Sequence, residues 1–255
     1  MKSDRTASDH WLRPAAENPQ DEAVTGELEH TESIQPQALL ARVLKRENLQ
    51  RALKRVRQNQ GAPGIDGMTV DELPEYLRHH WPGLRAKLIA GTYAPQPVRR
   101  VEIPKPDGKT RPLGIPTVLD RFIQQAIAQV ISAHWEPHFH PHSYGFRPQR
   151  SAHQAVRHVQ ASIREGCGWV VDMDLQAFFD RVNHDRLMVR LKSRCHDREL
   201  LRLINRYLKA GVRVGERSEA TTMGVPQGGP LSPVLANVVL DELDWELNRR
   251  GHRFA

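Results

Sequence analysis

The sequence predicts an α+β fold, helices packed around a small antiparallel sheet. Three observations carry this. Apolar residues recur at three- and four-residue spacing over most of the chain, as in Leu119, Phe122, Ile123, Ala126, Ile127, Val130 and Ile131. Two apolar strands flank the turn Lys105-Pro106-Asp107-Gly108-Lys109, where proline presets φ, aspartate bonds its own backbone and glycine takes positive φ. A short β-branched run, Trp169–Asp174, reads as a further strand.

The elements follow in order. Residues 1–36 are acidic, carry few large apolar side chains and show no period, so a disordered tail is expected. A helical pattern runs from Leu39 to Gln60, with Leu40, Val43, Leu44, Leu53 and Val56 on one face. The loop Gly61–Gly67 ends it. Two short helices are expected near Val70–Leu77 and Gly83–Ala90, then a hairpin of Val98–Ile103 with Thr110–Ile115. Helices are expected at Leu119–Ile131, Ser151–Ile163, His184–Leu191 and Arg198–Leu208. A second hairpin spans Val212–Thr222. The turn Gly224–Pro230 opens a last helix with Leu235, Val238, Val239, Leu243 and Leu247 inward, and Gly251 ends it.

Charge narrows the function. Residues 36–255 hold 34 basic and 22 acidic residues, a balance of +12, behind a first stretch of 35 residues at −5. A basic body fits a polyanionic partner, although a solvated basic surface would read the same. Arg51, Lys54 and Arg55 lie on the outer face of the first helix, suited to a phosphate backbone. No apolar run is long enough for a membrane span, and no apolar signal core follows Met1. Cys167 and Cys195 are in no metal or disulfide spacing. His138, His140 and His142 alternate around Pro141 without an acid or cysteine cluster and read as surface histidines.

Asp172 and Asp174 would share one face of the Trp169–Asp174 strand. Carboxylates on an apolar strand need water, a partner or a metal. Magnesium takes such oxygen ligands. A strand-end aspartate that caps the next helix has the same appearance, and the strand alone leaves both open.

The context adds a resemblance. Asp174 precedes Leu175-Gln176-Ala177-Phe178-Phe179-Asp180. Val225-Pro226-Gln227-Gly228-Gly229-Pro230-Leu231-Ser232-Pro233 follows later, and Ile103–Pro116 and Ser143-Tyr144-Gly145-Phe146-Arg147-Pro148 lie upstream. In this order they closely resemble reverse transcriptases encoded by group II introns, which also act as maturases. The resemblance covers Leu39 to Ala255.

It implies a right-hand polymerase: a helical N-terminal extension (37–94), fingers (95–166) and part of a palm (167–255). Asp174 resembles the first metal-binding aspartate, with the Leu175 carbonyl as a further Mg2+ ligand in a two-metal site. Phe179 resembles the steric gate that selects deoxynucleotides. Lys105 and Arg111 resemble the clamp on the dNTP triphosphate, and Gln227 and Gly228 the loop under the templating base pair. Arg147 and Arg150 resemble template-phosphate contacts. Implied partners are an intron RNA template and a DNA target or primer, in the cytoplasm or at the nucleoid; oligomeric state stays open.

The family continues into a hairpin bearing Tyr-Ala-Asp-Asp, a sequence that does not occur here. The chain alone is therefore expected to be inactive, with the edge of the Asp174 strand open and one side of the last helix bare. A non-catalytic RNA-binding splicing cofactor and a mobile-element remnant are the alternatives.

Overall fold

The computed structural model describes residues 39–104, 106, 108 and 110–255. The acidic tail 1–36, Lys105, Asp107 and Lys109 lie outside the described residues.

The first helical pattern forms two helices, α1 (Leu39–Val43) and α2 (Arg46–Asn59). Asn48 stabilises the break: its Nδ2 donates to the Val43 carbonyl at 2.9 Å and to the Ala126 carbonyl at 3.0 Å. Gln129 Nε2 donates back to Asn48 Oδ1 at 2.7 Å. These bonds set the register of α2 on α4 (Val118–Trp135), where the fully buried Ala52 and Ala126 contribute little side-chain bulk.

Two short helices were expected next, but one helix forms, α3 (Leu73–Ile89), running through Pro82. Leu77, Trp81, Leu84 and Leu88 make one continuous buried stripe. That burial outweighs the backbone bond that a mid-helix proline removes.

The expected hairpin is present as β1 (Val98–Pro104) and β2 (Thr110–Ile115), antiparallel with Val101 opposite Leu113. β2 is the sheet edge, which accommodates Pro112. The second hairpin, β3 (Val212–Val214) with β4 (Arg217–Glu219), joins β1 in parallel. The order is β2-β1-β3-β4.

α4 is capped by Thr117, whose side chain accepts from the Asp120 amide. A 3-10 turn, Glu136–His138, follows it. α5 (Ala152–Arg164) begins in a Ser151–Gln154 capping box. α6 (Phe178–Arg181) is one turn; α7 (His184–Arg194) and α8 (Arg198–Leu208) are capped by Asn183 and Asp197. Asp197 also accepts from the Leu40 amide at 2.7 Å, tying α1 to α8.

Asp120 is 1% exposed at the centre of this arrangement. Its carboxylate accepts from Tyr93 Oη at 2.7 Å, Thr117 Oγ1 at 2.8 Å, and the Gln96 amide and Tyr207 Oη at 3.1 Å each. Burial pushes its pKa up, against the pull of those hydrogen bonds. Burial beside this carboxylate also raises both tyrosine phenols.

The expected strand Trp169–Asp174 does not form: the segment has no regular secondary structure, and no strand of the sheet pairs with it. Trp169 is 95% exposed, and Val170, Val171 and Met173 also stand in solvent. A strand needs a ladder partner, and the described residues supply none here.

The last helix, α9 (Ser232–Arg249), buries Val234, Leu235, Ala236 and Val238 in its first half. Leu243, expected inward, is exposed, whereas Trp245 rests edge-on against His140 and donates from Nε1 to the His138 carbonyl at 3.3 Å.

Candidate active site

β2 and the loop leading into α9 lock together. Arg111 Nε donates to Gln227 Oε1 at 2.8 Å, and the Gly114 amide donates to the Gln227 carbonyl at 2.7 Å. Gly228 has φ +122, and a Cβ there would stand 2.5 Å from the Gly114 carbonyl oxygen. Backbone angle and space both require glycine. Ser232 Oγ closes the loop onto α9 by donating to the Pro226 carbonyl at 2.6 Å.

The same loop holds the Phe179 turn. The Val225 amide donates to the Phe179 carbonyl at 2.7 Å and the Gly224 amide to the Val182 carbonyl at 2.8 Å. Buried His184 bonds the Gly224 carbonyl through Nε2 at 2.7 Å, which makes Nε2 the protonated nitrogen. α6 starts from Ala177 in a left-handed conformation, φ +51.

Phe178 and Phe179 are both half-buried against the core, edge to face with centroids 5.5 Å apart. The Leu175 carbonyl accepts from the Phe178 amide at 3.2 Å and keeps a second lone pair. Asp174 is exposed and has no hydrogen-bond or ion-pair partner among the described residues.

Arg111, Gln227 and Gly228 therefore meet, and Phe179 is tied to their loop through the backbone. Asp174 lies five residues before Phe179 in open solvent, and Lys105 is outside the described residues. A carboxylate such as that of Asp174 and a carbonyl such as that of Leu175 are the donor types magnesium takes. No group of three His, Cys, Asp or Glu side chains placed to hold a metal occurs among the described residues.

Arg147 corrects an expectation. Its side chain is 3% exposed. It donates through Nη1 to the His140 carbonyl at 2.6 Å and the Ser143 carbonyl at 2.7 Å, and through Nη2 to Glu136 at 2.8 Å. An arginine saturated inside the fold has no donors left for template phosphate. Arg150 is half-buried, its guanidinium 5.8 Å from the Tyr144 ring centre.

Arg51, Lys54 and Arg55 are exposed on α2, opposite its contact with α4. Arg51 reaches Asn48 Oδ1 at 3.2 Å. His140 is buried, against the expectation of a surface residue, with its ring 4.8 Å from those of Trp245 and Phe254. Sequence reasoning missed Gly114 and His184 as supports of this site. A glycine inside an otherwise regular strand was the available signal for the first. A cleft of about 280 Å³ lined by Trp135, Arg190, Arg194 and Asp241 includes none of the site residues.

The profile of the family described as "Reverse transcriptase (RNA-dependent DNA polymerase)" matches residues 103–254. The chain belongs to the reverse transcriptase family. Protein YkfC of Escherichia coli (strain K12) is 41% identical over 226 residues, covering 86% of this reverse transcriptase chain and 59% of YkfC. The group II intron-encoded protein LtrA of Lactococcus lactis subsp. cremoris is 38% identical over 194 residues, 76% of this chain and 32% of LtrA.

The chain thus spans 59% of the length of one relative and about a third of the other. A solved "Partial Cas6-RT-Cas1--Cas2 complex" superposes with TM-score 0.55 at 24% identity, over 84% of this chain and 35% of that one, a likeness of fold. Among the described residues no helix is long and apolar enough to cross a membrane.

Proposed function

We propose that the chain forms the nucleotide-binding fingers and the first part of the palm of an RNA-directed DNA polymerase of the group II intron type. The observation that carries this is the junction of Arg111, Gln227 and Gly228. Arginine has five N–H donors. Gln227 takes the Nε donor of Arg111, an exposed residue, which orients the guanidinium and its terminal fork of N–H groups. Such a fork suits the triphosphate of a dNTP, where negative charge builds on transfer.

In this reading Phe179, anchored through its carbonyl, floors the sugar pocket and excludes a 2′-hydroxyl. Asp174 and the Leu175 carbonyl hold Mg2+, which polarises the phosphates when bound. Two such ligands do not complete a two-metal site, so the 255 residues alone do not polymerise. Residues 37–94 act as the N-terminal extension, 95–166 as fingers and 167–255 as palm, working in the cytoplasm on intron RNA and a DNA primer or target.

A second reading, an RNA-binding splicing cofactor without catalysis, is favoured by one observation, the exposed cationic face of α2.

Two measurements on the purified chain test the proposal. Labelled RNA–DNA primer-template should bind, more tightly with dNTP and Mg2+ present. Asp174→Ala should remove that increment and leave the basal affinity; no increment in the native chain would favour the cofactor reading. Primer extension on RNA should stay at background, and measurable extension would overturn the expected inactivity.

A further inference from the structure

The loop Ser143–Arg150 holds a phenyl ring in water. Phe146 is 74% exposed and has φ +53, a region that L side chains rarely occupy. Both features oppose folding, since one strains the backbone and the other leaves a large apolar group solvated.

The loop around Phe146 is nonetheless firmly built. Arg147, the next residue, spends its guanidinium on the carbonyls of His140 and Ser143 and on the Glu136 carboxylate. Asn237 Nδ2 of α9 donates to the Gly145 carbonyl at 2.9 Å, one residue on the other side. The Arg150 amide closes the turn onto the Arg147 carbonyl at 3.3 Å. A strained conformation fixed from both sides, with its ring unpacked, has its use outside the chain.

The surroundings set the chemistry of that use. From Phe139 to Arg164 there is no acidic residue, but four arginines and four histidines. Arg147 is spent internally. Arg157, Arg164 and His153 are exposed on α5, and Arg150 is half-buried beside Tyr144. The acids that face this loop from outside it are engaged elsewhere, Glu136 by Arg147, Asp241 by the His140 amide and Asp244 by Ser143. An exposed aromatic in a segment this rich in cations is the pattern that binds single-stranded nucleic acid, bases on the ring and phosphates on the arginines.

We propose that Phe146 is a stacking platform for an unpaired base of single-stranded RNA, with Arg150 and Arg157 taking the adjacent phosphates. This rests on the polymerase reading above, in which that strand is the template. The exposed Val156, Val159 and Ile163 of α5 would instead suit a protein partner, an outcome the test must separate.

The experiment is fluorescence anisotropy of a short labelled single-stranded RNA on the full chain, with Phe146→Gly, Phe146→Trp and the α2 charge reversal Arg51→Glu/Lys54→Glu/Arg55→Glu. Phe146→Gly should weaken binding by about 5- to 100-fold with an unchanged salt slope, the scale of one lost base stack. It should melt no lower than the native chain, because glycine suits φ +53. Phe146→Trp should keep the affinity, and its indole emission should be quenched by RNA.

Native affinity in Phe146→Gly, with weakening by the α2 reversal, would overturn this inference alone. A lower melting temperature with lost binding would make the ring structural and also overturn it. Self-association of the native chain that Phe146→Gly abolishes, at unchanged RNA affinity, would assign the ring to a protein contact. No RNA binding by the native chain would sink the polymerase reading and this inference together.

Discussion

Arg111 Nε donates to Gln227 Oε1 at 2.8 Å across 116 positions of sequence. The bond joins the edge strand of the sheet to the loop that opens α9. The backbone bond from the Gly114 amide to the Gln227 carbonyl runs beside it. One contact is side chain and exposed; the other is backbone against a glycine that has no space for a Cβ.

That difference sets the first prediction. Gln227→Ala removes an exposed hydrogen bond and should cost under about 1 kcal/mol in a urea melt. Gly228→Ala meets both the positive φ and the Gly114 oxygen, and should cost about 2 kcal/mol or more. Equal costs would mean that the loop is not held by its backbone.

Much of this was legible in the sequence, for local reasons. α8 forms at its expected bounds, Arg198–Leu208, because Asp197 caps it and its apolar period is regular. The β1–β2 hairpin forms where a turn was read, and Gly108 there takes φ +79. What failed depends on distant partners. Trp169–Asp174 has strand composition, but a strand exists only where another pairs with it. α3 continues through Pro82 because a buried stripe overrides the local break. Arg147 reads as a surface cation until Glu136, eleven residues back, is seen to face it. The bonds to Asp120 come from groups spread between Tyr93 and Tyr207, a convergence that no window of sequence reveals.

Arg147 gives the second prediction. Arg147→Ala strips the donors from two carbonyls and leaves the Glu136 carboxylate unpaired. With that carboxylate partly solvated, the cost should be about 2–4 kcal/mol. Arg147→Lys keeps the charge but loses the fork, and should still cost about 1 kcal/mol or more. A melt unchanged by both substitutions would return Arg147 to the surface role that its motif suggests.

Asp120 gives a pH dependence with a definite sign. Burial holds its pKa above the ordinary 3.8, so the folded chain binds that proton more tightly than the unfolded chain does. The linked stability is complete below the unfolded value and is lost as pH rises through the raised folded value. Asp120→Asn removes this titration. The stability of the variant relative to the native chain should therefore improve from about pH 4 toward neutrality. Urea melts of both proteins across that range measure it, and a relative stability that worsens with rising pH would contradict the assignment.

The unpaired segment before Phe179 gives the last prediction. The amides of Trp169 to Asp174 make no ladder bonds, whereas Val98 and Gly114 donate to backbone carbonyls at 3.0 and 2.7 Å. In hydrogen exchange the first group should exchange near the rate of an unstructured chain, while the second should be protected. The segment nevertheless has the composition of a buried strand, with Trp169, Val170, Val171 and Met173 in solvent. A partner that supplies a pairing strand would bury these side chains and satisfy the amides together. Protection of Trp169–Asp174 should then appear only when such a partner is present, and it should position Asp174 as it does so. Protection in the isolated chain would mean that the segment pairs within it and would overturn the need for a partner.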